Sequence, residues 1–246
     1  MTSPAAAPTL SATELERIRQ SRRHPRPTQF DYLHIRRLVD DLRAGLGAID
    51  GPLTDVLDIY CGSRPYDDLM PVAGRRVALD VEENPYGVAD VISNEFLPFE
   101  GESFDLVTCI EAFHYVGDPE HGVREIRRVL RPGGTALISV PFVWEYDRTI
   151  LEHRFTEPEL THLFRDWDDV RVVENGGRAV AWATLTGTIL ESARTRAPRP
   201  LRVVFPVLYL ALNGCGSALD ALERRAANGR TRLPMNLLVT ARRPTR

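Results

Sequence analysis

Val56-Leu-Asp58-Ile-Tyr60-Cys61-Gly62-Ser63-Arg64-Pro65-Tyr66 is an apolar run that ends in an acid and is followed at once by a turn containing glycine. Leu53 to Ile59 reads as a buried strand, because a short continuous apolar run bounded by turn residues fits a strand covered on both faces. Glycine lets the backbone pass close to a ligand, and amides at the start of the next segment favour an anionic or electron-rich group. Taken alone, the same stretch is equally the chemistry of an ordinary loop.

Further strands are expected at Arg76 to Asp80, Ala89 to Ile92, Phe104 to Ile110, Thr135 to Val140, Val170 to Glu174 and Met235 to Arg242, with helical segments between most of them. Strands alternating with crossovers predict an α/β, Rossmann-like, doubly wound sheet. It would bind ligands at the carboxyl ends of its strands. Upstream, Ser11-Ala-Thr-Glu14 is a capping box opening a helix to about Arg22. A second helix is expected from about Thr28 to Leu46, from the spacing of Phe30, Leu33, Ile35, Leu38 and Leu42. Thr156-Glu-Pro-Glu159 caps another, through about Phe164.

The expected organisation is a flexible tail over 1–10 and a single domain over 11–246. That domain divides into a helical cover (11–50), a ligand-binding core (51–175), a helical insertion (176–233) and a last strand with its tail (234–246). The insertion is read as two apolar helices, near Ala181 to Arg194 and Leu201 to Arg225.

Composition narrows the function classes. The chain has 246 residues, 43% hydrophobic and 26% charged, with a formal charge of −3. These are globular proportions, without the basic excess of a nucleic-acid binder. Cys61, Cys109 and Cys215 lack metal-ligand spacing, so no metal site is expected and a reducing, cytoplasmic setting fits. The Pro/Ala-rich start, Met1 to Thr9, does not read as a signal peptide.

The second decisive acid is Asp80, which closes Val77-Ala-Leu-Asp80, 22 residues after Asp58. An acid at the end of the second strand, about 20 residues beyond a glycine turn, suits a ribose diol, because one carboxylate can accept both hydroxyls. Its bland alternative is an acidic turn residue.

With these blocks in place, the chain resembles the class I S-adenosylmethionine-dependent methyltransferases, in particular the type 11 branch that acts on small molecules. The resemblance runs through Asp58-Ile-Tyr-Cys-Gly62, Ala78-Leu-Asp80, Leu97-Pro98-Phe99 with Ser103-Phe-Asp105, Glu111-Ala-Phe-His114-Tyr115, and Glu125-Ile-Arg-Arg-Val-Leu-Arg-Pro-Gly133-Gly134. It implies a seven-stranded sheet, mostly parallel with an antiparallel last strand, and S-adenosyl-L-methionine as cofactor. The methionine part would fall to Asp58, Tyr60 and Gly62, the ribose to Asp80 with Val81, and the adenine side to Ser93, Asn94 and Glu95, with Glu111 near the cofactor. Four features depart from the family pattern: Tyr60 stands where glycine is usual, Arg64 where it is frequent, Ser93 where an acid is usual, and His114-Tyr115 where many relatives have Glu-His. The Cys-Gly-x-x-Pro-Tyr form is similar to enzymes of cell-surface polysaccharide clusters.

Methyl transfer to a hydroxyl needs an aligned acceptor and a base. His114, just past the fourth strand, is the expected catalytic base, because unperturbed imidazole titrates near pH 6.5. A hydrogen-bonded structural histidine is the alternative at such a junction, and Glu111, Tyr115 and His153 are the weaker candidates for the base. Tyr115, Trp144 and His153 are the expected substrate-side residues, while Cys109 is expected in the core.

The expected activity is methyl transfer to a small-molecule or lipid-linked acceptor, at an oxygen of a glycan or secondary metabolite. A catalytically inactive binding or scaffold protein on the same fold, and an RNA methyltransferase, are the alternatives. Dense apolar residues from Val203 to Leu212, followed by Arg224, Arg225, Arg230 and Arg232, leave four readings for the insertion: core packing, an acceptor wall, a homodimer interface, or peripheral contact with the inner membrane face.

Overall fold

The computed structural model describes residues 10–51, 53–82, 84–93, 97–226 and 233–245. Among the described residues, seven strands form one sheet: β1 (Asp55–Ile59), β2 (Arg75–Asp80), β3 (Val91–Ile92), β4 (Phe104–Ile110), β5 (Leu130–Pro141), β6 (Asp168–Asn175) and β7 (Asn236–Arg242). Their order is β3-β2-β1-β4-β5-β7-β6. The β1–β5 pairings are parallel, and β7 runs antiparallel to both β5 and β6. This is the expected doubly wound sheet, with the strand order reversing beside β1, where such sheets open a crevice.

Alternation along the strands explains why both faces are covered. Leu57, Ile59, Val107, Cys109, Ile138 and Val239 face one buried cluster, completed by Phe113, Ile126, Phe155 and Phe164. Val56, Leu106, Leu137 and Leu238 face the other, completed by Ile35, Leu38, Leu42 and Leu46. That period of two is what a strand imposes on its side chains. Cys109 is fully buried in the first cluster, as expected of a core residue.

Among the described residues there are six α-helices: α1 (Ala12–Arg23), α2 (Tyr32–Gly47), α3 (Pro119–Val129), α4 (Glu157–Leu163), α5 (Arg178–Arg196) and α6 (Phe205–Ala226). Both expected capping boxes form: Ser11 Oγ accepts from the Glu14 amide, and Thr156 from the Glu159 amide. The second helix begins at Tyr32 and not near Thr28, because residues 28–31 form a turn. β5 begins five residues before the expected Thr135. It pairs Leu130 with Phe104, then loops out Arg131 to Gly134 before resuming at Thr135, with Gly133 at φ +81. The last apolar helix of the insertion splits at Phe205, where a tighter 3₁₀ turn over Arg199–Val204 passes into α6. Apart from Leu10, the expected tail lies outside the described residues, as do Arg230 and Arg232.

Candidate functional site

A crevice of about 1490 Å³ opens at the carboxyl ends of β1, β2 and β4. Its floor is built from strand ends, and its roof from Ile18 and Arg22 of α1 and His34, Ile35 and Leu38 of α2. Arg19 donates to the Ser63 carbonyl at 2.6 Å and Arg23 to the Pro65 carbonyl at 3.1 Å, so α1 is clasped to the turn that follows β1.

Asp58 and Asp80 lie on the same side of the sheet and both line the crevice. The Asp80 carboxylate is buried. It accepts from the Gly62 amide at 2.7 Å, from its neighbour's Val81 amide at 2.8 Å, and from the Asn84 side-chain amide. One acid thereby ties the β1 turn to the β2 end. A carboxylate offers about four acceptor positions, so three bonds leave capacity toward the crevice. Asp58 accepts from the Thr108 hydroxyl at 2.7 Å, and burial pushes its carboxyl up to about 7. The rise comes from desolvation outweighing that hydrogen bond.

Tyr60, Arg64 and Glu111 each hold φ at 55, in the left-handed region that residues with a Cβ rarely adopt. The glycine usual at the position of Tyr60 therefore has a conformational reason. Tyr60 keeps the turn and sends its ring against the main core cluster, with the crevice open beside it. Gly62 also has positive φ, at +56, and a Cβ there would meet nothing within 4 Å. The turn presents bare backbone to open space. Arg64 is held away from it by Asp67 at 3.0 Å and Asp90 at 3.2 Å.

Above the end of β4, Glu111 faces α2. His34 Nε2 lies 4.0 Å from Glu111 Oε2, and the imidazole stacks on Trp144 with ring centres 5.0 Å apart. Burial raises the Glu111 carboxyl to about 7 and lowers His34 to about 3. His34 Nδ1 and Glu111 Oε1 are buried without hydrogen-bond partners. His34 was absent from the sequence expectations, although a signal existed: it occupies the buried stripe of α2 with Leu38 and Leu42, where an ionisable residue is out of place.

His114 sits in a 3₁₀ turn over Phe113–Tyr115 and lines the crevice. Its ring is 3.9 Å from that of Tyr115, its Nδ1 has no partner, and burial lowers it to about 4. It is a neutral imidazole at pH 7.

The crevice thus gathers Asp58, Tyr60, Gly62, Asp80, Val81, Glu111, His114, Tyr115 and Trp144. Ser93 and His153 do not line it. The Ser93 amide donates to the Asp80 carbonyl at 3.0 Å, and the His153 amide donates to the His114 carbonyl at 2.8 Å while its ring stacks on Phe155. His153 supports the turn that carries His114. Asn94 and Glu95 lie outside the described residues.

This strand order with a reversed last strand, and a glycine turn between two crevice acids, are joined by a direct likeness: residues 45–138 match the model of the methyltransferase domain family. That match runs from the end of α2 into β5. Over 99 residues the chain is 33% identical to the ubiquinone biosynthesis O-methyltransferase of Pseudomonas putida, covering 34% of this chain and 43% of that protein. The chain therefore spans less than half the length of the ubiquinone-pathway relatives it matches. Over 191 residues it is 28% identical to the demethylmenaquinone methyltransferase of Streptomyces griseus, covering 63% and 83%. Among solved structures, the [4+2]-cyclase SpnF superposes with a TM-score of 0.55 at 18% identity, covering 87% of this chain and 83% of that one. A chain of the complex between the Haloferax volcanii Trm112 methyltransferase activator and a methyltransferase gives 0.50 at 24% identity, covering 85% and 89%. The last two show that the fold of the domain extends over most of the chain, and that a cyclase shares it.

Proposed function

We propose that this chain transfers a methyl group from S-adenosyl-L-methionine to an oxygen of a small-molecule or lipid-linked acceptor. The observation that carries the reading is the convergence of Asp58 and Asp80 on either side of the Gly62 turn, in one crevice at the switch point of the sheet. The residues fit the cofactor: a buried carboxylate with spare acceptor capacity suits a ribose, and the bare turn at Gly62 is a cradle that any Cβ would fill. A crevice of about 1490 Å³ exceeds the ~300–1,000 Å³ of an ordinary ligand pocket, which leaves space for an acceptor beside the cofactor.

When bound, S-adenosyl-L-methionine supplies an electrophilic methyl on a sulfonium. The chain's own groups supply the rest. Asp80, with Val81 beside it, would hold the ribose, and Asp58, Tyr60 and Gly62 would bound the methionine part. Ile18, Leu38, Trp144 and Tyr115 form the acceptor wall and exclude water. This wall, together with relatives named for quinone pathways, favours an apolar acceptor carrying a hydroxyl; a glycan hydroxyl on a lipid carrier belongs to the same class.

His114 is the proposed base, being neutral and unpaired at the crevice. A second reading is favoured by the Glu111–His34 pair, in which Glu111 takes the proton and His34 orients it. The two give different pH profiles. A turnover that rises through about pH 4 marks His114, and one that rises near pH 7 marks Glu111. His114→Ala and Glu111→Gln, assayed with a hydroxylated quinone precursor, should separate them by more than tenfold in kcat.

Calorimetric titration with S-adenosylmethionine tests the reading as a whole. Micromolar binding is expected, whereas no heat of binding at millimolar cofactor would overturn it and leave a scaffold on a methyltransferase fold.

A further inference from the structure

We propose that the exposed face of the α5–α6 hairpin docks on an anionic lipid bilayer. Trp182, Leu185 and Ile189 form a solvent-facing stripe on α5 at helical spacing. Leu201, Val203, Val204, Val207, Leu208 and Leu210 crowd the turn before α6 and its first turns, with Leu219 and Leu222 farther along. Val203 is 73% exposed, Ile189 69% and Val207 65%. The two stripes meet, since Trp182 and Leu219 line one shallow groove. An exposed apolar surface of this extent marks an interaction site, whereas scattered apolar residues would not.

Arg199–Ala226 is long and apolar enough to cross a membrane by length and composition. Its opposite side is nevertheless pinned to the protein. Asn213 Nδ2 donates to the carbonyls of Pro27 and Gln29, both at 2.8 Å, and the Arg37 guanidinium pairs with buried Asp220. A helix fixed along one side and apolar along the other lies in the plane of an interface.

Charge selects the occupant. Residues 178–226 hold seven arginines against three acids, in a chain whose net charge is −3. All three acids are paired: Glu191 with Arg194, Asp220 with Arg37 and Arg224, and Glu223 with Arg178. Arg196 and Arg202 donate only to backbone carbonyls, leaving their charges uncompensated beside Leu201 and Val203. Arginines rimming an apolar face fit lipid phosphates; a second copy would set the same positive rim against itself.

α6 rests on the segment that leads into α2, which carries crevice residues His34, Ile35 and Leu38, so the docked face lies one helix layer from the site. The inference does not depend on methyl transfer.

The test is co-sedimentation of the full chain with vesicles of phosphatidylcholine alone and with added phosphatidylglycerol. Binding should require phosphatidylglycerol. Val203→Asp/Val207→Asp should abolish it, and Arg196→Gln/Arg199→Gln/Arg202→Gln should weaken it by about fivefold per arginine removed. Circular dichroism and the thermal unfolding midpoint should stay unchanged in both variants, which shows that they fold. Three results would overturn the proposal: no binding to either vesicle, equal binding to both, or a dimer in sedimentation velocity that Val203→Asp/Val207→Asp dissolves while vesicles go unbound.

Discussion

Asp58→Asn should make the ligand-free protein more stable at pH 8 and leave it nearly unchanged at pH 4. In the fold the Asp58 carboxyl titrates at about 7, because the crevice floor strips it of water. In the unfolded chain it titrates near 3.9. A raised folded value favours the protonated form, so this group's contribution is fully present below about pH 4 and is lost as pH rises through 7. The gap corresponds to about 4 kcal/mol at pH 8, and crevice water screens part of it, leaving roughly 2–4 kcal/mol to be gained by removing the charge. Asparagine keeps the shape, and its oxygen can still accept the Thr108 hydroxyl that now reaches Asp58 Oδ1 at 2.7 Å. For a domain of this size the gain should raise Tm by about 4–16 °C at pH 8. Scanning calorimetry of both proteins from pH 4 to pH 8 measures it. A variant no more stable than the native chain at pH 8, or an offset that is the same at every pH, would refute the reasoning. Affinity for S-adenosylmethionine should fall in the same variant, since the charge that costs stability is the one that faces a cationic ligand.

Asp80→Ala removes an acceptor of three internal hydrogen bonds as well as the proposed ribose contact, so cofactor affinity should fall by about 1–3 kcal/mol; calorimetry giving an undiminished affinity in a folded variant would misplace the ribose. Gly187→Ala would set a Cβ 2.4 Å from the Phe30 carbonyl oxygen, where backbone meets backbone and neither can swing aside. A loss of about 1–3 kcal/mol is expected despite alanine's better helix propensity, read as a lower Tm by calorimetry.

The sheet was legible in the sequence because it is written locally. Leu57 and Ile59 alternate with Val56 and Asp58, a glycine follows, and the same pattern of strand then turn recurs at β2 and β4, so the strands and the two acids fall out of spacing alone. β3 reads shorter than Ala89 to Ile92 for a tertiary reason: Asp90 turns its carboxylate back to the Ala78 amide at 2.9 Å and to Arg64, and leaves only Val91 and Ile92 for the ladder. The sequence could mark His34 only as an ionisable residue in a buried stripe; that this stripe passes over Glu111 is a tertiary fact that nothing within α2 reveals. The roles of Ser93 and His153 as supports behind the crevice depend likewise on which way the chain turns after a strand end.

This contrast has a structural cause. The half of the crevice proposed to take the cofactor runs from Asp58 to Asn84, one strand–turn–strand passage. The acceptor half is assembled from α1, α2, Glu111, His114 and Trp144, and its roof is positioned by the insertion. Asn213 holds the Pro27 and Gln29 carbonyls, Gly187 lets α5 touch Phe30, and Asp220 takes Arg37, so α5 and α6 fix where α2 lies over the floor. Changes in the insertion, distant from any reacting atom, should therefore shift KM for the acceptor while leaving cofactor affinity in place. Initial-rate kinetics of Asn213→Ala make the separation measurable: a variant that lost cofactor affinity and acceptor KM in equal measure would mean that the two halves of the crevice are not built independently.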